Sequence, residues 1–401
     1  MVKRKILIVY NEDFPWDIRV EKFCKSYIFD NYDVFVLCNN KKNSNLHEKY
    51  EGINIIRIWE GKPDFFKIPA FFNPIWLYKI YKIIKKYKID LILIRDLPLA
   101  LAGIVIGKIC KVPTIYDMAE NYPEAIKIWK KTGDYKSFTG KIIRNYLMFK
   151  IIEKISCKYA DLIFVVIEEN LERLKILGIP SSKIKVIENT PDLKKLPISK
   201  IDKLRKEKFF KQKFVLTYVG GFQFHRGILD VIIGMETIIR ENSNILLILV
   251  GDGPQRTIYE NEVAKRKLSK NVVFLGFVKW PNIYDYILLS DLCLIPHLKS
   301  GHTDTTMPNK IYDYISLKKP VLVSDAVPLK RFVLNEKCGV YFESGNIPDF
   351  SKKVIELYND KKILEDMGEN GFKAVVNKYN WKNTSKNLLM HTNLLLEKKT
   401  S

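Results

Sequence analysis

The sequence predicts an α/β protein with two doubly wound parallel sheets, one in each half of the chain. Its 401 residues exceed one typical hydrophobic core, and domains of about 150–200 residues are the usual solution. Short apolar runs alternate with helical patterns in both halves, as they do in βαβ units. A basic stretch without a strand pattern, residues 193–213, separates the two series. We therefore expect a domain boundary near residue 195.

The strand-like runs of the first half, such as KILIVY and LILIR, are continuous apolar segments rather than alternating ones. Such runs are typical of parallel strands that are covered on both faces. A helix rich in small residues is predicted after LILIR and extends to Lys111. The predicted strands of this half are residues 5–10, 32–38, 54–59, 91–95, 114–118 and 161–166.

The same alternation begins again after residue 213, with runs such as FVLTYVGG and ILLILVGDG. The predicted strands are residues 214–221, 245–253, 272–278, 292–297, 320–325 and 339–342. We expect one Rossmann-like domain at residues 1–195 and a second at residues 196–380. Residues 381–401 are predicted to form a C-terminal helix that crosses back toward the first domain.

The composition favours a folded intracellular chain. Hydrophobic residues make up 47% and aromatic residues 12%, enough to fill two cores. The six cysteines include no C-x-x-C pair, so neither a disulfide framework nor a zinc site is indicated, and a reducing cytoplasm fits best. The start VKRKILIVY lacks the pattern of a signal peptide. No apolar run reaches the roughly 18 residues that span a bilayer.

The formal net charge of +22 favours an anionic partner. That partner is a phosphate ligand, a nucleic acid or an acidic lipid. A general excess of lysine on solvated faces explains the charge equally well. The basic residues are spread over both halves and no nucleic-acid-binding module is evident, so we expect no nucleic-acid partner.

The loop in YVGGFQFHRGILDVI combines several features of an anion site. Gly220 and Gly221 follow a predicted strand and allow backbone amides to approach an anion. Arg226, just before a predicted helix, adds a permanent cation with parallel donors for phosphate. The alternative is a tight turn with a surface arginine.

Two further segments place glycine at the end of a predicted strand. LILVGDGP puts Gly251 and Gly253 between a strand and a helix. A G-x-G without a third glycine is a weak nucleotide signal, and a turn without a ligand fits this segment at least as well. NVVFLGFV either offers backbone groups of Phe277 and Val278 to a flat ring or is only core sequence.

The segment HTDTTMPNKIYDYIS concentrates hydrogen-bonding groups ahead of a predicted helix. Pro308 suits the first helical turn, and Asp313 lies roughly opposite the apolar face of that helix. Its carboxylate suits a vicinal diol such as ribose, in the neighbourhood of Thr305 and Thr306. The alternative is a capping cluster with a solvated Asp313.

These four segments, in this order, resemble the donor-binding half of the glycosyltransferase family 4 proteins, which have the GT-B fold. Family members read much like YVG-R-L-x-x-x-KG, L-x-I-V-G-x-G-P, NV-x-FLG-x-V and a loop–helix–PV(I/V)-x-S block. The resemblance implies two Rossmann-like domains that face a central cleft. The donor-binding residues that it implies are Gly220, Gly221, Arg226, Gly251, Gly253, Phe277, Val278, Thr305, Thr306, Met307, Pro308, Asn309, Lys310 and Asp313.

The resemblance extends less sharply into the first half. DIRVEK, RDLPLALAG and YDMAENYPEA are similar to loops on the acceptor side of family members. The implied acceptor-side residues are Asp17, Arg19, Arg95 and Asp96. The candidates for catalysis are Arg226, Asp313, Asp117 and Glu120.

The resemblance implies transfer of a sugar from a nucleoside-diphosphate donor, UDP by default, with retention of configuration. Arg226, the amides after Gly220 and the helix N-terminus near Pro308 would stabilise the departing diphosphate, while Lys310 either assists or is solvated. A D-x-D sequence is missing and the five histidines are dispersed, so we expect neither a metal nor a cofactor. Front-face attack by an acceptor hydroxyl is expected, with closure of the two domains to exclude water.

Three positions depart from the family pattern. Many members carry a Glu–x7–Glu pair, whereas this chain has Thr305 and Asp313 at those places. Gly221 replaces an arginine, which leaves Arg226 to hold the diphosphate alone, and Ala119 stands where a histidine is often found. We therefore expect the loop around Thr305 to encode which sugar is accepted.

Residues 62–88 are rich in aromatic residues and lysine. The spacing from Trp76 onward predicts an amphipathic helix with lysines around an apolar face of Leu77, Ile80, Tyr81 and Ile84. Such a helix suits the interface of an anionic membrane, and a core helix with a solvated lysine face is equally compatible. We expect a saccharide or lipid-linked saccharide acceptor for cell-surface glycan synthesis, and a cytoplasmic location or a peripheral one on the cytoplasmic face of the inner membrane.

Two other function classes stay open. A sugar-nucleotide epimerase shares the GT-B architecture, and a nucleic-acid-binding protein rests on the net charge alone. A nicotinamide-dependent oxidoreductase is disfavoured because neither predicted domain opens with G-x-G-x-x-G.

Overall fold

The protein is described by a computed structural model that covers residues 3–15, 17–42, 44–58, 70–131, 145–195, 210 and 213–400. The chain forms two compact units. The first comprises residues 1–189 together with 383–401, and the second comprises residues 190–382. Most of the basic stretch at residues 193–213, which separates the two predicted series, lies outside the described residues.

Within the described residues, the first unit contains an eight-stranded sheet of order β3-β4-β2-β1-β5-β6-β7-β8. Neighbouring strands are parallel except for β3 and β4. The inner strands are almost completely buried, as their continuous apolar sequences predict. The strands are β1 (Lys5–Val9), β2 (Asp33–Cys38), β3 (His47–Tyr50), β4 (Ile53–Arg57), β5 (Leu91–Arg95), β6 (Thr114–Met118), β7 (Leu162–Val165) and β8 (Ile184–Val186).

The two edge strands of this sheet, β3 and β8, are missing from the strands predicted by sequence. The β3 sequence HEKY is polar and largely exposed, and it pairs antiparallel with β4. The predicted parallel sheet is thus extended at this edge by one antiparallel strand. A solvated edge strand needs no apolar run, so the pattern used for prediction does not detect it.

The helices of the first unit begin and end as local signals dictate. Asp17 caps α1, because its Oδ1 accepts hydrogen bonds from the amides of Arg19 (2.8 Å) and Val20 (2.9 Å). Helix α3 packs against both α2 and α5, and Gly103 allows it to lie close to β5, since a Cβ there would be 2.5 Å from Ile94 Cγ1. The helices are α1 (Ile18–Phe29), α2 (Pro74–Tyr87), α3 (Leu97–Cys110), α4 (Tyr122–Lys131), α5 (Tyr146–Tyr159) and α6 (Glu168–Ile176).

The second unit contains a six-stranded, fully parallel sheet of order β11-β10-β9-β12-β13-β14 among the described residues. All six strands lie within the runs predicted by sequence. The structure ends several of them earlier, because glycine or proline follows. The strands are β9 (Phe214–Val219), β10 (Ile245–Val250), β11 (Val272–Gly276), β12 (Leu292–Ile295), β13 (Val321–Ser324) and β14 (Gly339–Phe342).

Helices connect the strands of the second unit, and α7 and α12 pack against each other. A Cβ on Gly234 of α7 would lie 2.7 Å from the Phe350 ring of α12, so glycine permits this close packing. The helices are α7 (Ile228–Glu241), α8 (Arg256–Lys265), α9 (Ile283–Leu289), α10 (Lys310–Ser316), α11 (Val327–Glu336), α12 (Ile347–Tyr358) and α13 (Lys361–Asn377).

The last helix, α14 (Trp381–Thr400), belongs to the first unit from residue 383 onward. Its Leu388 is completely buried, and Thr392 Oγ1 shares a 2.9 Å hydrogen bond with the Tyr27 hydroxyl of α1. Contacts between residues at the two ends of the sequence therefore complete the first unit. Within the described part of the chain, no helix has the length and apolar character that crossing a bilayer requires.

Candidate functional site

The carboxyl ends of β9 and β12 lie side by side in the second unit. The strand order reverses direction between these two strands, and such a switch point creates the crevice in which open α/β sheets bind ligands. The loops that follow β9 and β12 contain Gly220, Arg226 and His297. The residues after Gly220 therefore lie where the topology predicts a ligand site.

Gly220 and Gly251 close β9 and β10 in backbone conformations that favour glycine, with φ of 141° and 142°. The Gly220 amide donates to the Val250 carbonyl at 2.9 Å, and the Gly251 amide donates to the Gly276 carbonyl at 2.8 Å. A Cβ on Gly251 would lie only 1.9 Å from the Gly220 carbonyl oxygen. These glycines hold three strand ends together at one edge of the sheet.

The other residues predicted around this edge have varied surroundings. A Cβ on Gly253 would lie 2.7 Å from the Phe222 amide nitrogen, whereas one on Gly221 would meet only the movable Gln223 side chain. Phe277 is 77% exposed, and Val278 packs partly against the core. Their contact with a base stays a prediction.

Arg226 ends a short 3₁₀ turn, Phe224–Arg226, directly before Gly227 and α7. Gly227 has φ 68°, and a Cβ there would lie 1.8 Å from the Pro296 carbonyl oxygen. The Leu298 amide donates to the His225 carbonyl at 2.9 Å. The Arg226 turn is thus joined to the segment that follows β12, and backbone contacts fix its position.

The Arg226 guanidinium makes one side-chain hydrogen bond in this region. Its Nη1 lies 3.1 Å from His297 Nε2. Its Nε is buried and has no hydrogen-bond partner among the described residues. Since a guanidinium has five donors, most of its capacity remains for a ligand.

Lys310 begins α10 and is the second cation of this region. Its Nζ is buried, has no hydrogen-bond partner among the described residues, and lies 3.8 Å from the centroid of the Tyr218 ring. Burial and the Arg226 charge lower the pKa of Lys310 well below its usual value, against the opposite effect of Asp313. The alternative of a solvated Lys310 is therefore wrong.

The Lys310 ammonium also lies next to the end of β9. A Cβ on Gly220 would be 2.7 Å from Lys310 Nζ, so glycine at position 220 leaves room for the cation as well as for the turn. Because a buried charge without a partner is unfavourable, an anion is the missing partner that would stabilise it.

Asp313, one turn further along α10, is half-buried. The Tyr284 hydroxyl donates to Asp313 Oδ1 at 3.4 Å, and burial together with the Asp313 charge raises the pKa of Tyr284 to about 12. Pro308 does not lie in the first turn as predicted. The helix begins at Lys310, two residues after Pro308. The Pro308 carbonyl accepts a hydrogen bond from the Ile311 amide, three residues ahead, as in a 3₁₀ turn.

The threonines ahead of α10 use their hydroxyl groups within the loop. Thr305 Oγ1 donates to the Gly301 carbonyl at 2.7 Å, and Thr306 Oγ1 donates to the His302 carbonyl at 3.0 Å. Met307 packs against the core behind α10. Contact of Thr305 and Thr306 with a sugar or phosphate stays a prediction.

Three histidines come together here, one from the loop after β9 and two from the segment after β12. The rings of His225 and His302 are 5.9 Å apart and perpendicular, and His297 is 3% exposed beside Arg226. Burial and the neighbouring cations lower the pKa of His225 to about 3 and that of His297 well below its usual value. Sequence reasoning treated the histidines as dispersed. The available signal was that His225 adjoins Arg226 and that His297 is the last residue of the predicted strand 292–297.

The residues predicted on the acceptor side form a buried ion network in the first unit. Arg19 and Asp117 are 1% and 0% exposed. Arg19 donates through Nη2 to Asp117 Oδ1 at 2.6 Å and through Nε to Oδ2 at 2.9 Å, and its Nη1 donates to the Ile187 carbonyl at 2.8 Å. Both carboxylate oxygens of Asp117 are therefore engaged within the protein, so this predicted catalytic candidate serves to hold Arg19.

Arg95 lies among three carboxylates at the carboxyl end of β5. Its Nη2 donates to Asp17 Oδ2 at 3.3 Å, and its Nη1 lies 2.6 Å from Asp96 Oδ1. Burial alone would raise the pKa of Asp17, but Arg95 and two backbone amides outweigh it and lower that pKa. Asp17 is thereby held as a carboxylate.

Asp96 has an unusual backbone conformation and a raised pKa. It has φ 64° and ψ 167°, a region that L-residues occupy at a cost of roughly 1–3 kcal/mol and mostly at functional sites. Burial, with Glu120 and Asp117 nearby, raises the pKa of Asp96 to about 7 despite the opposing effect of Arg95. Glu120 itself is exposed after β6.

Among the described residues, no three His, Cys, Asp or Glu side chains are grouped so that they could hold a metal ion. The described site instead offers two cations, Arg226 and Lys310, and the carboxylate of Asp313. Its chemistry suits an anionic ligand that also carries hydroxyl groups.

Two Rossmann-like units, the second with a cation-lined crevice at its switch point, define a glycosyltransferase of the GT-B type. Two family models match the chain: Glycosyltransferase Family 4 over residues 19–195 and Glycosyl transferases group 1 over residues 199–374. The chain belongs to the family 4 glycosyltransferases of the GT-B fold.

Characterised and uncharacterised relatives agree with this assignment. A UDP-Gal:alpha-D-GlcNAc-diphosphoundecaprenol alpha-1,3-galactosyltransferase of Escherichia coli is 26% identical over 76% of this chain and 75% of its own length. An uncharacterised glycosyltransferase of Methanocaldococcus jannaschii is 25% identical over 72% and 71% of the two chains.

Solved structures share the fold. Sucrose-phosphate synthase from Thermosynechococcus elongatus superposes with a TM-score of 0.81 at 16% identity, covering 98% of this chain and 100% of that one. Anabaena HepE in complex with UDP gives a TM-score of 0.74 at 14% identity, with 97% and 99% covered. Identities this low support the fold and do not extend to the substrate.

Proposed function

We propose that this protein transfers a sugar from a nucleoside-diphosphate sugar, with UDP as the base-bearing carrier, to a saccharide or lipid-linked saccharide acceptor. The observation that carries the proposal is the buried ammonium group of Lys310, which has no hydrogen-bond partner among the described residues and lies beside Gly220. A diphosphate would supply the negatively charged partner that this group lacks. Relatives whose names specify UDP-galactose and diphosphoundecaprenol acceptors support the choice of substrates.

The chemistry that we propose is a metal-independent, retaining transfer. The bond between the anomeric carbon and the β-phosphate oxygen breaks, and Arg226, Lys310 and the Gly221 amide stabilise the charge that develops on the diphosphate. The acceptor hydroxyl attacks the anomeric carbon from the same face, and its proton passes to the departing phosphate oxygen. Asp313 accepts hydrogen bonds from the ribose diol.

In the first unit, we assign acceptor binding to the surroundings of Asp96. Its strained backbone and its pKa of about 7 suit a proton-sensitive contact, whereas the Asp117 carboxylate is already paired with Arg19. In this proposal, Asp96 contacts an acceptor hydroxyl, and Asp17, Arg19 and Arg95 hold the network around it in place.

Nucleotide binding by the purified protein tests the donor site. We expect UDP to bind, and Arg226→Ala and Asp313→Ala each to weaken it about tenfold or more, because each removes a charged contact worth about 1.5–3 kcal/mol. Arg240→Ala, on the exposed side of α7, is the matched control with unchanged affinity. Unaltered UDP affinity in both site variants would refute the assignment. Oligonucleotide binding without nucleotide binding would favour the nucleic-acid class instead.

A peripheral membrane contact is the second part of the proposal, and it extends the prediction made for residues 62–88. Residues 59–69 lie outside the described residues, but α2 is described, and its exposed face carries Tyr78 and Tyr81 among lysines. Tyr81 is thus on the exposed side rather than on the apolar face predicted for it. Core contacts are made by Trp76, Ile80, Ile83 and Ile84 instead.

Helix α3 packs beside α2, and α5 packs beside α3, which extends this exposed face. The exposed side of α5 has a stripe at four-residue spacing, with a parallel row of lysines. The residues of the stripe are Leu147, Ile151, Ile155 and Tyr159, and the lysines are Lys150, Lys154 and Lys158. Helices α2 and α3 contain no acidic residue, and Glu153 of α5 is 1% exposed and paired with Arg173 at 2.7 Å. An apolar and basic face without exposed carboxylates complements an anionic lipid surface.

Sedimentation with vesicles tests this contact. We expect the protein to bind vesicles of phosphatidylglycerol and phosphatidylcholine at low salt and to release them at high salt. Ile151→Ser and Lys154→Gln should each reduce binding several-fold, since a surface lysine contributes about 1 kcal/mol. Lys362→Gln, at an exposed position of α13, is the charge-matched control. Equal binding of all variants would remove this face from the proposal, and self-association through it would show up as a larger mass in solution.

A further inference from the structure

His297 is a buried side chain that the proposed chemistry does not use, and it contacts the residue on which that chemistry depends. Its Nε2 lies 3.1 Å from Arg226 Nη1. A guanidinium has donors and no acceptor, and it keeps its proton in proteins. The His297 nitrogen must therefore accept, which makes the imidazole neutral and places its proton on Nδ1.

The surroundings of His297 keep it in this neutral form. The charged and titratable groups that act on it are Arg226, Lys310, His225 and His302, all of them cationic or able to become so. Burial adds to their effect, and the pKa of His297 lies well below its usual value. Protonation would place another cation beside Arg226 and would replace the acceptor with a donor.

The backbone fixes the relative position of His297 and Arg226. The two residues follow neighbouring strands, β12 and β9, which pair at Cys293 and Thr217. The Leu298 amide bonds to the His225 carbonyl, one residue away from each partner. A long arginine side chain is thus held at its tip by a residue that is itself rigidly placed.

The remaining donors of Arg226 and the ammonium group of Lys310 have one ligand class in common. Arg226 Nε and Lys310 Nζ are both buried without a hydrogen-bond partner among the described residues. Burial and the Arg226 charge together lower the pKa of Lys310, so the two groups lie near each other. Two such cations suit the adjacent phosphates of a diphosphate. Lys310 then provides the second cation, which the family pattern places at position 221, where this chain has glycine.

We propose that His297 is a positioning residue: as a neutral imidazole protonated on Nδ1, it holds Arg226 so that its free donors, together with Lys310, bind the donor diphosphate. This inference rests on the proposed function for the identity of the ligand. The contact between His297 and Arg226 is a property of the protein without ligand.

Variants of His297 test the proposal with UDP and uridine as probes in calorimetric titrations. His297→Leu removes the acceptor and should weaken UDP about tenfold, the loss of one hydrogen bond, while uridine binding changes by less than about twofold. His297→Gln presents an amide oxygen near the position of Nε2 and should restore most of the UDP affinity. His47→Leu, an exposed histidine of β3 in the other unit, is the matched control with unchanged binding of both probes.

A double-mutant cycle separates positioning from a general structural effect. If His297 acts through Arg226, then His297→Leu has no further effect on UDP binding in the Arg226→Ala background. Equal losses for UDP and uridine, or additive losses in the double variant, would overturn the proposal. Unfolding curves identify any variant that fails to fold. If His297→Leu does not fold, the UDP and uridine affinities of His297→Gln are compared with those of the wild type instead.

Nitrogen NMR of the ligand-free protein distinguishes failure of this inference from failure of the proposed function. We expect the His297 ring to show a protonated Nδ1 and an unprotonated Nε2 at neutral pH, and the opposite tautomer would overturn the inference alone. If the wild-type chain bound none of the nucleoside diphosphates, the proposed function would fall while the tautomer still reported on the contact with Arg226.

Discussion

At the scale of single residues, the structure distinguishes carboxylates that the sequence presents as equals. Asp117 lies near the end of β6 and Asp96 directly follows β5, and these neighbouring parallel strands end at the same edge of the first sheet. Asp117 is completely buried and forms a bidentate pair with Arg19, so it stabilises the site. Asp96 has a strained backbone and an elevated pKa, so it is the one suited to proton-sensitive contact with a ligand.

Replacement of Asp96 with Asn should change how stability depends on pH. The pKa of Asp96 is about 7 in the folded chain against the ordinary aspartate value of 3.8, so between these values the folded state binds a proton that the unfolded state lacks. Wild-type stability therefore falls as pH rises through this window and levels off above it. Since Asn does not titrate, the free energy of unfolding of the variant should rise relative to that of the wild type over the same pH window, by on the order of a few kcal/mol.

Urea unfolding at a series of pH values measures this difference. Asp161→Asn is the comparison variant, because the pH dependence that it removes has the opposite sign. Lys108 and Thr114 outweigh burial and lower the pKa of Asp161, so its contribution is present above the unfolded pKa and is lost on acidification. A difference between Asp96→Asn and wild type that does not vary with pH would contradict the raised pKa.

At the scale of elements, the site depends on how strand ends approach one another. The turn that carries Arg226 is pressed against the segment after β12 at Gly227, and β9 is pressed against β10 at Gly251. The sequence indicates that glycines lie at strand ends. It does not indicate which strand end each glycine meets, because that depends on the order of strands in the sheet.

Substitution of Gly227 by Ala should destabilise the second unit through two separate effects. The residue has φ 68°, and its Cβ would lie 1.8 Å from the Pro296 carbonyl oxygen. Gly345→Ala is the matched control, because Gly345 has φ 80° with nothing within 4 Å of the added Cβ. The control should cost about 1–2 kcal/mol for backbone conformation alone, and Gly227→Ala should cost clearly more and weaken UDP binding. Equal free energies of unfolding for the two variants would show that the contact with Pro296 relaxes freely.

At the scale of the whole molecule, the division into units does not follow the chain continuously. Residues 383–401 complete the first unit although the second unit precedes them in sequence. Buried Leu388 and Leu396, together with the hydrogen bond between Thr392 and Tyr27, attach α14 there. The stability of the first unit therefore depends on the last residues of the chain.

Removal of residues 383–401 should destabilise the first unit by several kcal/mol, since burying each leucine contributes about 1.5–3 kcal/mol. Differential scanning calorimetry should show one transition moving to lower temperature while the transition of the second unit, followed by its shift with UDP, stays in place. Met390→Ser, at an exposed position of the same helix, is the control that should leave both transitions unchanged. If the shortened chain melted like the full chain, α14 would contribute little to the first unit.

By itself, the sequence determined the two parallel sheets, because strands that are buried on both faces require continuous runs of apolar residues. It also determined the four donor-side segments, since glycines at strand ends and a cation before a helix are local features. Only the tertiary structure decided that His297 accepts from Arg226, that Lys310 is buried beside Gly220, and that Asp117 is occupied by Arg19. These contacts join residues from different strands, and burial and partners, which set the charge of each group, exist only once those strands are adjacent.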